Sequence, residues 1–194
     1  MKKSQLIQIA RATWLGIVVL MVCLLSSVRA QAPETLVATA SVKNASGASL
    51  SVPVTASITR FASDAERDAL LAAVKKGGTA AARQLLEKGA DAGSFELSSR
   101  KTAIKYAYAR TLGGGDRLLT LVTAQPVFFL GAGAPEAKPK AGYDLGLVLL
   151  ELKASGPGKG ELVPAAKVRV DAQNAIVTED YGAEMVQLTN VVKK

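Results

Sequence analysis

The chain has 194 residues, of which 24 are basic, 16 are acidic and none is histidine. Without histidine, the sequence excludes Ser-His-Asp and Cys-His nucleophilic sites, histidine general bases and His-rich zinc sites. The single cysteine, Cys23, lies near the N-terminus, so the chain beyond it has no disulfide, thiol chemistry or thiolate metal site. These absences favour a protein that is not an enzyme, and we assign it no catalytic residues, no metal and no cofactor.

The first thirty residues have the pattern of a secretory signal peptide. Three basic residues precede an uncharged apolar run, residues 15–28, which is followed by Arg29 and Ala30. Because small or aliphatic residues occupy the two positions that signal peptidase recognises, we predict cleavage after Ala30. The run is shorter than the ~20 residues of a membrane span, and a retained N-terminal anchor is the alternative.

Cleavage would leave a single exported domain, residues 31–194. It removes four of the 24 basic residues and no acidic one, so the mature chain has a net charge of +4. This mild excess favours solubility and weak attraction to anionic surfaces, but it is not the concentrated basic patch that nucleic-acid binding requires. We expect a periplasmic or secreted protein that binds no nucleic acid and has no membrane span after cleavage.

The first elements of the mature chain are predicted to form a β-hairpin. Apolar residues occupy every second position from Leu50 to Ile58, which indicates a strand with one buried and one solvated face. Pro53 cannot donate to a ladder, so this strand lies at an edge or bends there. The turn residues "KNASG" (43–47) join it to an earlier strand around residues 35–42.

A two-helix hairpin is predicted next, over residues 63–89. Ser63-Asp64-Ala65-Glu66 has the pattern of a capping box. Gly77-Gly78 is predicted to end the first helix, Thr79 to cap the second and Gly89 to end it.

Part of this segment, "AAVKKGGTAAARQLLEKGADAG" (72–93), resembles the second half of an ankyrin repeat. One such repeat exposes apolar faces on both sides, and stability needs three or more stacked copies. Here the flanking segments are strands, so we interpret the likeness as coincidental. We expect the hairpin to bury its apolar residues on the sheet, namely Leu70, Val74, Leu85 and Leu86.

Strand patterns return from about Thr102 and continue to the end of the chain. Three pairs of strands flank the turn segments "GGGD", "ASGPGKG" and "YG". Between the first two pairs, residues 131–142 are rich in Ala, Gly, Pro and Lys, which predicts a flexible exposed loop. The fold class predicted is α+β, with a mainly antiparallel meandering sheet, curled as a half-barrel or sandwich, and an inserted two-helix hairpin.

A candidate ligand-contact stripe lies on one parity of a predicted strand. Its members are Arg100, Tyr106, Tyr108 and Arg110. Aromatic rings flanked by guanidinium groups suit a sugar or an anionic glycan. In the alternative, the tyrosines pack on the sheet and the arginines are solubilising charges at its rim.

Two stretches of the chain resemble a group of short secreted bacterial proteins of unknown function. They are "VTASITRFASDAERDALLAAVKKG" (54–77) and "AAKVRVDAQNAIVTEDYGAEMVQLTNVVKK" (165–194), the latter including a "QLTNV" segment that is similar to the ending in that group. The resemblance implies a shared fold and export. It implies no catalytic residues.

These observations favour a non-enzymatic binding or structural module of the cell envelope or secretome. Its partner would be an envelope or extracellular protein or a glycan. A carrier of small apolar ligands is the first alternative, if the sheet encloses a cavity of some 300 Å³ or more. A hydrolase using two carboxylates is the second, although no spacing singles out a pair.

Overall fold

The structure is a computed structural model that describes residues 31–43, 49–97, 100–127, 141–182 and 184–194. The predicted signal peptide, the turn residues 44–47 and residues 131–140 of the predicted loop lie outside this part of the chain. Within it there are ten β-strands and one α-helix. In chain order they are β1 (Glu34–Lys43), β2 (Ser49–Ile58), α1 (Asp64–Lys88), β3 (Gly93–Leu97), β4 (Arg100–Ile104), β5 (Tyr106–Thr111), β6 (Arg117–Thr123), β7 (Leu145–Leu152), β8 (Gly158–Val170), β9 (Ile176–Tyr181) and β10 (Val186–Lys193).

The ten strands form one antiparallel sheet that closes almost completely into a barrel. The strand order is β4-β3-β2-β1-β10-β8-β7-β6-β5, and β9 pairs with the second half of β8. Only Lys105 separates β4 from β5, although these strands lie at opposite ends of that order. The Lys105 N–H donates to the Val122 carbonyl of β6 at 2.8 Å, which brings the two ends together. The predicted α+β class with a mainly antiparallel sheet is confirmed.

The apolar core consists of two clusters on opposite faces of the sheet. The interior cluster fills the barrel and contains Leu36, Val54, Phe95, Leu121, Leu150 and Leu162, among others. The helix-facing cluster lies between α1 and the outer face of the sheet and contains Leu70, Val74, Tyr106, Leu147 and Val168, among others. The middle of the sheet near α1 is therefore apolar on both sides.

The predicted two-helix hairpin is not what the structure shows, because residues 64–88 form one kinked helix. The predicted capping box is present, since Ser63 Oγ accepts from the Glu66 N–H and the Ser63 N–H donates to Glu66 Oε2. The backbone leaves helical geometry at Gly77 and Gly78, where φ of Gly78 is +61°, and the helix continues to Lys88. The paired glycines thus bend the helix without ending it.

Most of the apolar residues expected to pack on the sheet do so. Leu70, Val74 and Leu86 are buried, whereas Leu85 is 40% exposed, so the expectation was wrong for Leu85. Beyond the kink, Thr79 Oγ1 accepts a hydrogen bond from the Val168 N–H at 2.9 Å. This bond fixes the bend of α1 against β8.

Candidate functional site

A pocket of about 240 Å³ lies between the first half of α1 and the outer face of the sheet. We call it the arginine pocket. Its wall consists of Arg67 and Leu71 from α1, Tyr106, Tyr108 and Arg110 from β5, Leu118 and Thr120 from β6, and residues 173–176 at the β8–β9 turn. The wall contains two guanidinium groups and no carboxylate.

Three of the four residues of the predicted stripe line this pocket, and Arg100 does not. Arg100 is separated from the other three residues because the chain breaks its strand pairing between β4 and β5. In an unbroken strand Ile104 and Tyr106 would face the same side of the sheet. Here Ile104 belongs to the interior cluster and Tyr106 to the helix-facing cluster, so the alternation of faces is interrupted at Lys105. Arg100 lies before this break, which separates it from the other three residues.

Arg67, which the sequence analysis missed, is held against Tyr108. Its Nη1 donates to the Tyr108 hydroxyl at 2.8 Å, and its guanidinium carbon lies 5.4 Å from the ring centroid. The hydroxyl in turn donates to Asp64 at 3.0 Å. Hydrogen bonds to Asp68 and Tyr108 raise the pKa of Arg67 above its usual value, so the group stays charged.

The two tyrosine rings form the wall of the pocket rather than an open stacking platform. Tyr106 is 5% exposed, and burial raises the pKa of its hydroxyl. The rings of Tyr106 and Tyr108 are nearly parallel, with centroids 6.3 Å apart, and Arg67 lies over Tyr108. Their faces are therefore largely taken up by protein neighbours, and the polar groups at the mouth are left to contact a ligand.

Arg110 is the arginine that is available at the mouth. It is exposed, and it forms no ion pair with any residue that the structure describes. Across the mouth, Asn174 has a positive φ of 53° in a turn that Asp171 stabilises by accepting from the Gln173 and Ala175 N–H groups. Lys75 donates to Asn174 Oδ1 at 2.9 Å, so the amide of Asn174 offers its NH₂ donors to a ligand.

Carboxylates occur in a second, larger groove on the same outer face. Glu151 and Glu161 line this groove, which has a volume of about 530 Å³. A hydrogen bond from Lys153 lowers the pKa of Glu151. A general acid needs a raised pKa instead. The arrangement therefore does not favour Glu151 as the proton donor of a hydrolase.

No family model, curated protein or solved structure matches the chain. The resemblance to short secreted bacterial proteins accordingly stays a prediction. In the residues that the structure describes, no helix has both the length and the apolarity to cross a bilayer.

Proposed function

We propose that this chain is an exported, non-enzymatic binding module, and that its arginine pocket receives the anionic group of a ligand. The single observation that carries the proposal is the composition of the wall, which brings Arg67 and Arg110 together without a lining carboxylate. A pocket with a net positive wall attracts anions and can hold a carboxylate by charge-assisted hydrogen bonds.

The two arginines contribute differently. Asp64 and Asp68 lie 3.5 and 2.9 Å from the Arg67 guanidinium, so much of its charge is balanced before any ligand arrives. The exposed Arg110 lacks such a partner among the described residues and supplies the main attraction. We assign Arg67 the positioning of Tyr108 and Arg110 the contact with the anion.

The barrel interior supports this function over the apolar-carrier alternative. A carrier needs an enclosed apolar cavity. Here the side chains of the interior cluster are packed together, and the largest of them are less than 2% exposed. We also infer from the predicted signal peptide that the module acts in the periplasm or outside the cell, where acidic glycans and peptides are available ligands.

Binding of galacturonate, a sugar acid, to the full-length chain tests this proposal. We expect weak, saturable binding by isothermal titration calorimetry or NMR shifts, and up to about fivefold weaker binding to the Arg110→Gln variant, which is the upper end of the range for one exposed charge pair. Arg100→Gln is the matched control, because this exposed arginine lies outside the pocket wall. Equal binding of neutral galactose, or equal losses in both variants, would contradict the proposal.

A further inference from the structure

The arginine pocket lies next to the second groove, because Leu118 lines both. We call this second groove the far groove. Its wall consists of Leu118 from β6, Leu149 and Glu151 from β7, Lys159, Gly160 and Glu161 from β8, and Gln187, Leu188 and Thr189 from β10. The two grooves are neighbours on the outer face of the sheet, and we refer to them together as the channel.

The strand register shows that this channel runs across the strands. Residues that are paired in an antiparallel sheet have side chains on the same face. One row of paired residues is Arg110, Leu118, Glu151 and Lys159. The adjacent row is Tyr108, Thr120, Leu149, Glu161 and Gln187. Both rows start on β5 at the arginine pocket and end beyond β7 in the far groove.

The two ends of the channel carry opposite charge. In the far groove, Glu151 is balanced by Lys153 at 2.5 Å and by Lys159 at 3.7 Å. Glu161 is exposed and has no ion pair or hydrogen bond to any described side chain, as is true of Arg110 at the other end. Arg110 lies on β5 and Glu161 on β8, three inter-strand spacings of ~4.8 Å across the sheet and two residues of ~3.3 Å along the strands, which gives about 16 Å.

We propose that the ligand is a short, extended peptide whose carboxylate binds Arg110 and whose ammonium group binds Glu161. This inference rests on the proposed function, because it places the anionic end in the arginine pocket. An extended chain rises ~3.3 Å per residue, so about five residues span the ~16 Å. Leu118 and Leu149 supply the apolar floor between the ends, and Thr120 supplies a hydroxyl beside them.

The opposite charges favour a peptide over an acidic glycan. A polyanionic sugar chain would place a carboxylate beside Glu161, and like charges repel. A peptide with two free termini instead meets a complementary charge at each end.

The test uses calorimetric titration of the full-length chain with alanine peptides of two to six residues. Pentaalanine is compared in four forms: with free termini, C-terminally amidated, N-terminally acetylated, and blocked at both ends. We expect the tightest binding at about five residues and about fivefold loss for each blocked terminus. Arg110→Gln should abolish the effect of amidation only, and Glu161→Gln should abolish the effect of acetylation only.

Two exposed residues outside the channel supply matched controls, Arg100→Gln and Glu96→Gln, which should keep both effects. If acetylation changes nothing while amidation weakens binding, the peptide inference is wrong and the anion pocket stands. If oligogalacturonate binds more tightly than pentaalanine, the peptide inference is likewise wrong and the anion pocket stands. If neither peptide nor galacturonate binds, both the inference and the proposed function fail.

Discussion

Strands β2 and β7 belong to the same barrel, yet β2 is buried on one face and β7 on both. In β2, Val54 is 3% exposed and its neighbour Thr55 is half-buried on the outer face. In β7, Leu147 and Val148 are 0% and 1% exposed although they face opposite sides. The difference arises because α1 covers the outer face near β7 and β8, whereas no described element packs over that of β2.

This difference also explains where the channel lies. The helix covers only part of the outer face that it packs against, and the boundary between covered and uncovered sheet forms a concave edge. Arg67 from α1 meets Tyr108 from β5 at this edge. The outer face of β2 lacks such an edge among the described residues, because it has no covering element.

The largest expected effect tests the burial of both faces of β7. Leu147→Ala on the outer face and Leu150→Ala on the inner face should each lower the free energy of unfolding by about 2–5 kcal/mol, since each leaves a cavity in a packed cluster. Equilibrium unfolding in urea measures the free energy of unfolding of both variants.

In β2, truncating one residue on each face should lower the free energy of unfolding by unequal amounts. Val54→Ala should cost about 2 kcal/mol, and Thr55→Ala should change stability by no more than about 0.5 kcal/mol. If Leu147→Ala proved as mild as Thr55→Ala, the outer face of β7 would not be a second core and the comparison would fail.

An intermediate effect is expected at the contact that holds the bent helix on the sheet. Thr79→Val removes the acceptor of the Val168 N–H and leaves that amide without its partner, at a cost of about 1–3 kcal/mol. Thr79→Ser keeps the hydroxyl and should cost less. Native-state hydrogen exchange would localise the change, because Val168 should lose protection in the valine variant before any residue of β2 does.

Much of the fold could be predicted from local patterns. The alternation from Leu50 to Ile58 is confirmed by the burial of Val54, Ala56 and Ile58 on one face of β2. The continuous apolar run of β7 predicts a strand, but it cannot tell which element covers its outer face, because that depends on contacts distant in sequence. The glycine pair predicts the position of the bend. It does not predict that α1 continues beyond the bend, because that depends on packing against β8.

The candidate site was only partly predictable. Tyr106, Tyr108 and Arg110 share a face, as their alternation indicates. Arg100 was grouped with them because period-two reasoning assumes an unbroken strand, and Lys105 interrupts it. Arg67 was missed, although it precedes Leu70, Leu71 and Val74 by three, four and seven residues and therefore shares their helix face. That spacing is the signal that could have found it.

The smallest expected effect is the acid response of α1, β6 and β7. Three carboxyls with a lowered pKa lie on or beside these elements: Glu66 in the first turn of α1, held by the Ser63 N–H, and Asp116 before β6 and Glu151 near the end of β7, both held by Lys153. A carboxyl with a lowered pKa binds its proton more weakly in the folded than in the unfolded chain. Its stabilisation is complete above the ordinary carboxyl pKa of ~4 and is lost as the pH falls through the lowered value.

We therefore expect amide protection in α1, β6 and β7 to fall below about pH 4 before that in β1–β3. Lys153→Met should weaken the pH dependence of amide protection in β6 and β7. It should leave the pH dependence in α1 unchanged, because Glu66 is held by Ser63 and Arg60 instead. Protection factors measured by NMR from pH 5 to pH 2 supply the comparison. If β1–β3 lost protection first, the acid-sensitive contacts would lie in the uncovered half, contrary to the division drawn between β2 and β7.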